Sequence, residues 1–171
     1  MRSVKNWMGI ALGCCVLVLA SGCFHYSFKE GAIPKEVKTI RVNFIENKAR
    51  YINPQLSPQL TDKLRQKINN QTGRTLVQND NADYDISGTI TDYSFSTAGV
   101  ASNKSATNRL TVTVQIKLLN RLDPNQNKEE TISRNFDFDA NVSIQSAEAQ
   151  LNESIIRNLT DEIFNRLFSN W

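Results

Sequence analysis

The sequence is short of the side chains that carry out catalysis or hold metal ions. It contains one histidine, His25, and three cysteines, Cys14, Cys15 and Cys23. It has no glycine-rich phosphate loop, and a nucleophilic serine would lack a convincing base beside it. We therefore expect a protein with no catalytic residues, no metal site and no cofactor apart from the lipid discussed below.

One acidic stretch imitates part of a calcium-binding loop. Asn81, Asp83 and Asp85 match its first, third and fifth positions, and Asp92 falls at the twelfth. Such a loop needs glycine at its sixth position, where this chain has Ile86. Because the same residues alternate between polar and apolar, the pattern predicts a strand and no calcium site.

Neither sign of charge dominates. The chain has 20 Lys and Arg residues and 17 Asp and Glu residues, and two of the basic ones, Arg2 and Lys5, lie near the N-terminus. Without these two, 18 basic residues face 17 acidic ones. This balance gives no indication of a nucleic-acid partner.

The N-terminal segment has the layout of an export signal. Arg2 and Lys5 precede an apolar stretch that runs from Trp7 to Ala20. This stretch is shorter than the roughly 20 residues of a membrane-spanning helix, and a polar chain follows it at once. We therefore predict a signal that is cleaved.

A cysteine at the end of this segment indicates the kind of signal. The residues Leu19-Ala20-Ser21-Gly22-Cys23 resemble a lipobox, although Ala20 stands where Leu is usual. The resemblance implies an S-diacylglycerol and an N-acyl chain on Cys23. Lipidation would also remove a lone thiol, since Cys14 and Cys15 leave with the signal. The alternative is an ordinary secretory signal with an incidental cysteine.

Three segments follow from this interpretation. Residues 1–22 are a cleaved lipoprotein signal peptide, residues 23–36 are a lipidated linker, and residues 37–171 are a single domain. The length suits one domain with its own core.

The first half of the domain predicts a strand and a helix. Residues from Val37 to Ile45 alternate as in a half-buried strand. A helix follows, beginning either at Asn53-Pro54 or, because of Pro58, with Ser57 as its cap, and ending at Thr72-Gly73. Its apolar stripe comprises Leu56, Leu60, Leu64 and Ile68.

The second half predicts most of a sheet. A short strand from Arg74 to Gln78 precedes a longer one that starts near Tyr84 and changes parity near Asp92, where we expect a bulge. A loop from Thr97 to Thr107 follows. Two more strands, joined by a turn at Asp123-Pro124-Asn125, should form a hairpin. Their apolar positions are Leu110, Val112, Val114, Ile116, Leu118, Ile132, Phe136 and Phe138.

A long amphipathic helix closes the chain. Ser146 is its predicted cap, and Glu148 suits the positive end of the helix dipole. The apolar stripe comprises Leu151, Ile155, Leu159, Ile163 and Leu167. The fold class is therefore α+β, a two-layer sandwich with two amphipathic helices on one face of a mostly antiparallel sheet of four to five strands.

Four basic residues are candidates for binding an anionic headgroup. Arg41, Lys117 and Arg134 occupy polar positions of predicted strands, where solvated charge is the competing interpretation. Arg109, within Asn108-Arg109-Leu110, is the fourth candidate. Trp171, the last residue, either covers the core or contacts a partner.

Several short motifs resemble one family when their order and spacing are considered together. They are Gly31-Ala32-Ile33-Pro34, Val37-Lys38-Thr39-Ile40, Asn53-Pro54-Gln55-Leu56, Ile86-Ser87-Gly88-Thr89-Ile90-Thr91-Asp92-Tyr93, Asn108-Arg109-Leu110-Thr111-Val112, Ile163-Phe164-Asn165 and Asn170-Trp171. With the lipobox, they are similar to those of LptE-type lipopolysaccharide-assembly lipoproteins. The similarity extends from Cys23 to Trp171.

The resemblance implies a non-catalytic outer-membrane lipoprotein. Such proteins are α+β domains anchored by lipid to the inner leaflet of the outer membrane on its periplasmic face. They sit inside the β-barrel protein LptD and help to pass lipopolysaccharide to the outer leaflet. Residues Phe24 to Ser27 lack the acidic residue that marks inner-membrane retention, which agrees with that location.

The sequence is also compatible with two other functions. The chain could be a carrier lipoprotein for a lipid or small ligand, which requires a deep apolar pocket between helices and sheet. It could also be a structural subunit of another envelope complex.

Overall fold

A six-stranded mixed sheet forms one layer of the protein. The structure is a computed structural model, and it describes residues 33–98 and 106–168. The strands are β1 (Thr39–Val42), β2 (Glu46–Asn47), β3 (Thr75–Leu76), β4 (Tyr84–Thr97), β5 (Thr107–Asn120) and β6 (Lys128–Asp139). Their order in the sheet is β3-β1-β4-β5-β6, and β2 pairs with β4 beyond β1.

The helices are α1 (Leu56–Thr72) and α2 (Ile144–Phe168). Both pack against the sheet, which confirms the α+β class and the layered arrangement. The predicted sheet of four to five strands is too small, because the two residues of β2, Glu46 and Asn47, are both polar and give no apolar alternation.

The sheet is also less antiparallel than predicted. Strand β1 pairs in parallel with β3 and with β4, and β2 pairs in parallel with β4. Parallel neighbours need a long crossover connection, and α1 provides it between β1 and β3. The long pairings of β5 with β4 and with β6 are antiparallel as expected.

Strand β4 contains the predicted bulge. Ile90 pairs with Val114, whereas Asp92 pairs with Thr113, so Thr91 is an extra residue between them. This insertion brings Tyr93 and Phe95 to the same side of the sheet as Ile90. The β5–β6 hairpin is confirmed too, with a short 3-10 turn at Pro124–Gln126 that is capped by the side chain of Asp123.

The helix ends differ in part from the prediction. Gly73 ends α1 with φ of 63°, as its position indicated. At the other end, the cap residue is Gln55, whose side chain makes no capping hydrogen bond, so neither predicted start is correct. Asn53 Oδ1 accepts the N–H of Gln55 at 3.0 Å in the turn before the helix, and Ser57 lies inside the helix. Helix α2 begins before Ser146: the Ser143 hydroxyl accepts the N–H of Ser146 at 3.2 Å.

The core fills the space between helices and sheet. Both predicted stripes face it: Leu60, Leu64 and Ile68 of α1 and Leu159 and Ile163 of α2 are fully buried. Their sheet partners are Ile40, Ile86, Ile90, Leu110, Val112, Val114 and Ile116, also fully buried. Each of these residues comes from a predicted apolar position.

Some predictions fall outside the described residues. These are the cleaved signal at residues 1–22, the linker from Cys23 as far as residue 32 with its lipidation, most of the loop from Thr97 to Thr107, and the role of Trp171. No helix within residues 33–98 and 106–168 is long and apolar enough to cross a membrane.

Candidate functional site

The side of the sheet away from the helices is polar, and we call it the open face. Register and alternation assign to it Arg41, Asp85, Ser87, Thr89, Ser94, Arg109, Thr111, Thr113, Gln115, Lys117, Glu129, Thr131, Ser133, Asn135 and Asp137, together with the exposed apolar residue Leu119. None of these residues is fully buried. Most are uncharged Ser, Thr, Asn or Gln, so this surface bonds well to water or to other polar groups.

Neighbouring side chains on the open face bond to one another across β5 and β6. The Thr111 hydroxyl donates to Asn135 Oδ1 at 2.9 Å, and the hydroxyls of Thr113 and Ser133 lie 3.0 Å apart. Gln115 donates to Glu129 Oε1 at 2.7 Å. Cross-strand pairs of this kind stabilise the hairpin modestly and hold the side chains in fixed positions.

Arg109 forms a bidentate ion pair at one end of the open face. Its Nε and a terminal nitrogen donate to the two carboxylate oxygens of Asp137, at 2.6 and 2.9 Å. These hydrogen bonds raise the pKa of Arg109 and lower the pKa of Asp137. A guanidinium in this geometry can exchange a carboxylate for a phosphate without changing its own conformation.

Arg41 and Lys117 lie on the same face and are also paired. Arg41 forms an ion pair with Asp80 and lies 3.9 Å from Asp85. Lys117 Nζ lies 3.2 Å from Glu129. Arg41 lies on β1 and Lys117 on β5, with β4 between them.

Arg134 lies on the helix side of the sheet, away from the other three candidates. Arg134 is a residue of β6, and its guanidinium forms an ion pair with Glu162 of α2. Arg166 donates to the other oxygen of Glu162 at 3.0 Å, and the hydrogen bonds from Arg166 and Arg134 lower the pKa of this carboxyl. The four candidates therefore do not form one cluster, and each has an acidic partner.

The acidic stretch that resembled a calcium loop contributes to the fold. Asp83 Oδ2 accepts the N–H groups of Lys38 and Thr39 at 2.8 and 2.9 Å, which lowers its pKa and fixes the start of β1 beside β4. Asp85 accepts a hydrogen bond from Asn43. No group of acidic, histidine or cysteine side chains among the described residues is arranged to hold a metal ion.

A cleft lies where the N-terminal ends of the two helices meet, and we call it the helix-end cleft. Its volume is about 230 Å³. Glu148 joins its two sides: Oε2 accepts from the Tyr51 hydroxyl and Oε1 from Asn53 Nδ2, both at 3.1 Å. Its lining comprises Tyr51, Asn53, Pro54, Gln55, Gln145, Glu148, Ala149 and Asn152.

Aromatic rings support the Tyr51 side of this cleft. The Tyr51 ring stacks on Tyr93 with centroids 5.6 Å apart and meets Phe95 edge-on at 5.7 Å. Burial raises the pKa of Tyr93 well above its usual range. No local sequence pattern indicates this cleft, because Tyr51 and Glu148 are 97 positions apart. By sequence, Glu148 is assigned only to the helix dipole.

The space between helices and sheet bears on the carrier alternative. A ligand pocket for a small molecule has about 300–1,000 Å³ and an apolar lining. Here fully buried side chains such as Leu64, Ile90 and Leu159 occupy the interlayer space of the described domain. The helix-end cleft is smaller than that range and lies at the ends of the helices, outside the interlayer space.

Solved structures similar to this chain share its fold. A minor lipoprotein from Acinetobacter baumannii is 15% identical, with a TM-score of 0.51 over 77% of this chain and 93% of that one. The PelC dodecamer protein from Paraburkholderia phytofirmans is 12% identical, with a TM-score of 0.50 over 81% of this chain and 93% of that one. At such identities the likeness concerns the fold alone.

The family model gives the more specific result. No curated protein matches the chain. The model of the family LptE, described as lipopolysaccharide-assembly, matches residues 37–167, which span every strand and nearly all of both helices. The chain therefore belongs to the LptE lipopolysaccharide-assembly family.

Proposed function

We propose that this protein is a non-catalytic outer-membrane lipoprotein that assembles with the LptD β-barrel, plugs it and supports lipopolysaccharide transport to the outer leaflet. The family match over residues 37–167 is the observation that carries this proposal. We also propose three segments: a cleaved signal at residues 1–22, a lipidated linker at residues 23–36 and the family domain from residue 37 onward.

The open face supports the role of a plug. The interior of an outer-membrane barrel is polar, so a domain inside it needs a hydrophilic surface whose charges are compensated. The open face has this character, with hydroxyl and amide side chains between ion pairs such as Arg109–Asp137 and Lys117–Glu129. We propose that this face contacts the barrel wall.

The proposal is tested by co-purification and by depletion. Affinity purification of the protein from detergent-solubilised outer membrane should recover a large β-barrel protein in an equimolar ratio to it. Depletion of the protein should lower the lipopolysaccharide exposed at the cell surface. A clean monomer, together with unchanged surface lipopolysaccharide, would contradict the proposal and favour another envelope complex.

The lipid on Cys23 is proposed to hold the domain beside its barrel on the periplasmic face. Replacing Cys23 with Ala should release the protein from the membrane while the thermal unfolding of the domain stays unchanged, because the domain has its own core. If C23A stays membrane-bound in cells that lack LptD, the lipid anchor is not what retains the protein.

Arg109, Arg41, Lys117 and Arg134 are the proposed contacts for the phosphates of lipopolysaccharide. Arg109 is the strongest candidate, because its bidentate hydrogen-bonding geometry suits a phosphate as well as a carboxylate. Arg109→Ala should weaken lipopolysaccharide binding more than Arg109→Lys does, and Lys63→Ala on the exposed side of α1 serves as the control. Equal binding by all variants would remove Arg109 from the site.

A further inference from the structure

The helix-end cleft combines three groups that recognise sugars. It offers an exposed aromatic ring from Tyr51, a carboxylate from Glu148, and side-chain amides from Gln55, Gln145 and Asn152. Sugar hydroxyls act as donors and acceptors, and amides and carboxylates match them. The apolar C–H faces of a pyranose ring pack against the flat face of an aromatic ring.

The Tyr51 ring is held in position for such a contact. Its stacking on Tyr93 and its edge contact with Phe95 cover part of the ring, and 43% of the residue stays exposed. The hydrogen bond from its hydroxyl to Glu148 fixes the direction in which the ring points. A ring that is already ordered loses little conformational entropy when a ligand packs on it.

The polar groups of the cleft keep bonding capacity for a ligand. Glu148 accepts one hydrogen bond on each oxygen, from Tyr51 and from Asn53, and a carboxylate has about four lone-pair sites. Asn152, which lines the cleft, donates through its amide nitrogen to Gln59 at 2.7 Å, so its side-chain carbonyl oxygen keeps its acceptor capacity. Gln55 and Gln145 are exposed and contribute both donors and acceptors.

We propose that the helix-end cleft is a binding site for a pyranose unit of a glycan. The volume of about 230 Å³ accommodates one sugar ring and is too small for a drug-sized ligand. The proposal follows from the cleft itself and does not depend on the barrel partner. The sugar could come from a hexose of an envelope glycolipid or from an N-acetylhexosamine of the cell wall, and both have the same ring chemistry.

The experiment titrates the full lipidated protein with defined sugars. The protein is kept in a zwitterionic detergent without a sugar headgroup, and calorimetry is run with maltotriose and, separately, with chitotriose. Saturable binding in the millimolar range by either trimer is the expected result, and the stronger binder identifies the source. Failure of both to bind at ten times that concentration would overturn the proposal.

Variants connect the binding to the cleft. Tyr51→Ala should weaken binding at least about tenfold, whereas Tyr51→Phe keeps the ring and most of the affinity. Phe44→Ala is the matched control, since Phe44 is an aromatic residue that is 54% exposed outside the cleft. Gln145→Ala is a second test of the site that does not depend on the aromatic stack. This substitution should weaken sugar binding without changing the thermal unfolding of the protein.

The outcome of the variants decides the proposal. Binding that Y51A and Q145A reduce and F44A leaves unchanged supports the site. If Y51A fails to fold, Q145A alone decides. Binding that survives Q145A together with a folded Y51A, or that F44A reduces equally, would place the sugar elsewhere and overturn the proposal.

Discussion

The two faces of the one sheet are stabilised in different ways. The helix side is a continuous apolar core in which residues such as Ile116 and Leu110 are fully buried. The open face consists of polar side chains that bond to their cross-strand neighbours, such as Thr113 with Ser133. Most of the stability therefore resides on the helix side.

The same contrast appears between adjacent residues of β5. Gln115 and Ile116 are neighbours in the chain and point to opposite faces of the sheet. Burial of an apolar side chain contributes far more to stability than an exposed hydrogen bond does. Substitutions on the two faces should therefore differ in their effect on stability.

Removing a core side chain should destabilise the protein strongly. Ile116→Ala leaves a cavity between sheet and helices and should lower the free energy of unfolding by about 2–5 kcal/mol. Gln115→Ala is the matched control on the open face and should cost less than about 1 kcal/mol. Chemical denaturation measures both, and similar losses for the two variants would refute the comparison.

Adding one methyl group on the core side should also destabilise the protein. A Cβ on Gly88 would lie 2.8 Å from Ile116 Cδ1 and 3.2 Å from Ile45 Cγ1. Gly88→Ala should therefore cost about 1–3 kcal/mol through overpacking. Ile116→Val removes the clashing methyl, so the double variant should be more stable than the sum of the two single effects predicts. If the two losses in the free energy of unfolding simply add, the core accommodates the extra methyl group at Gly88 without a clash with Ile116.

Asp83, which links β1 to β4, should make stability depend on pH. Its folded-state pKa is lowered chiefly by backbone hydrogen bonds from Lys38 and Thr39. Because the folded pKa lies below the unfolded value of about 3.9, this contribution is present above that value and is lost as pH falls through the folded pKa. Asp83→Asn should be less stable than the native protein at pH 7, and the difference should shrink toward pH 2. A difference that stays constant with pH would exclude the carboxylate as its cause.

Breaking an ion pair on the open face should have the smallest effect on stability. Arg109 and Asp137 are solvent-accessible, so water screens their attraction. Arg109→Ala should leave the midpoint of chemical unfolding almost unchanged, at low salt as well as at high salt. A clear shift of that midpoint would mean that the open face also contributes to holding the fold.

Much of the helix side could be predicted from the sequence, because short-range periodicity encodes it. The stripes of α1 and α2, the bulge at Asp92 and the αL glycine at Gly73 all follow from local patterns. Strand β2 does not, since its two residues, Glu46 and Asn47, are both polar and show no apolar alternation. The start of α2 was misplaced because Ser143 and Ser146 are both good caps, and only the backbone geometry selects Ser143.

The candidate site was harder to predict, because it depends on pairs that are distant in sequence. The partner of Arg109 could have been found from the hairpin, since a turn at Asp123-Pro124-Asn125 sets Asp137 opposite it. Arg134 was predicted at a polar strand position, but register places it on the helix side, where α2 supplies Glu162. The helix-end cleft combines the ends of two helices and has no such signal.

Cross-linking in intact cells can show directly what the open face contacts in the membrane. A photo-cross-linking amino acid at Thr113, in the middle of that face, should give an adduct with LptD in intact cells. The same probe at Arg157, on the exposed side of α2, should give a weaker one. Absence of a Thr113–LptD adduct, with the protein present and folded, would contradict the assignment of the open face to the barrel wall.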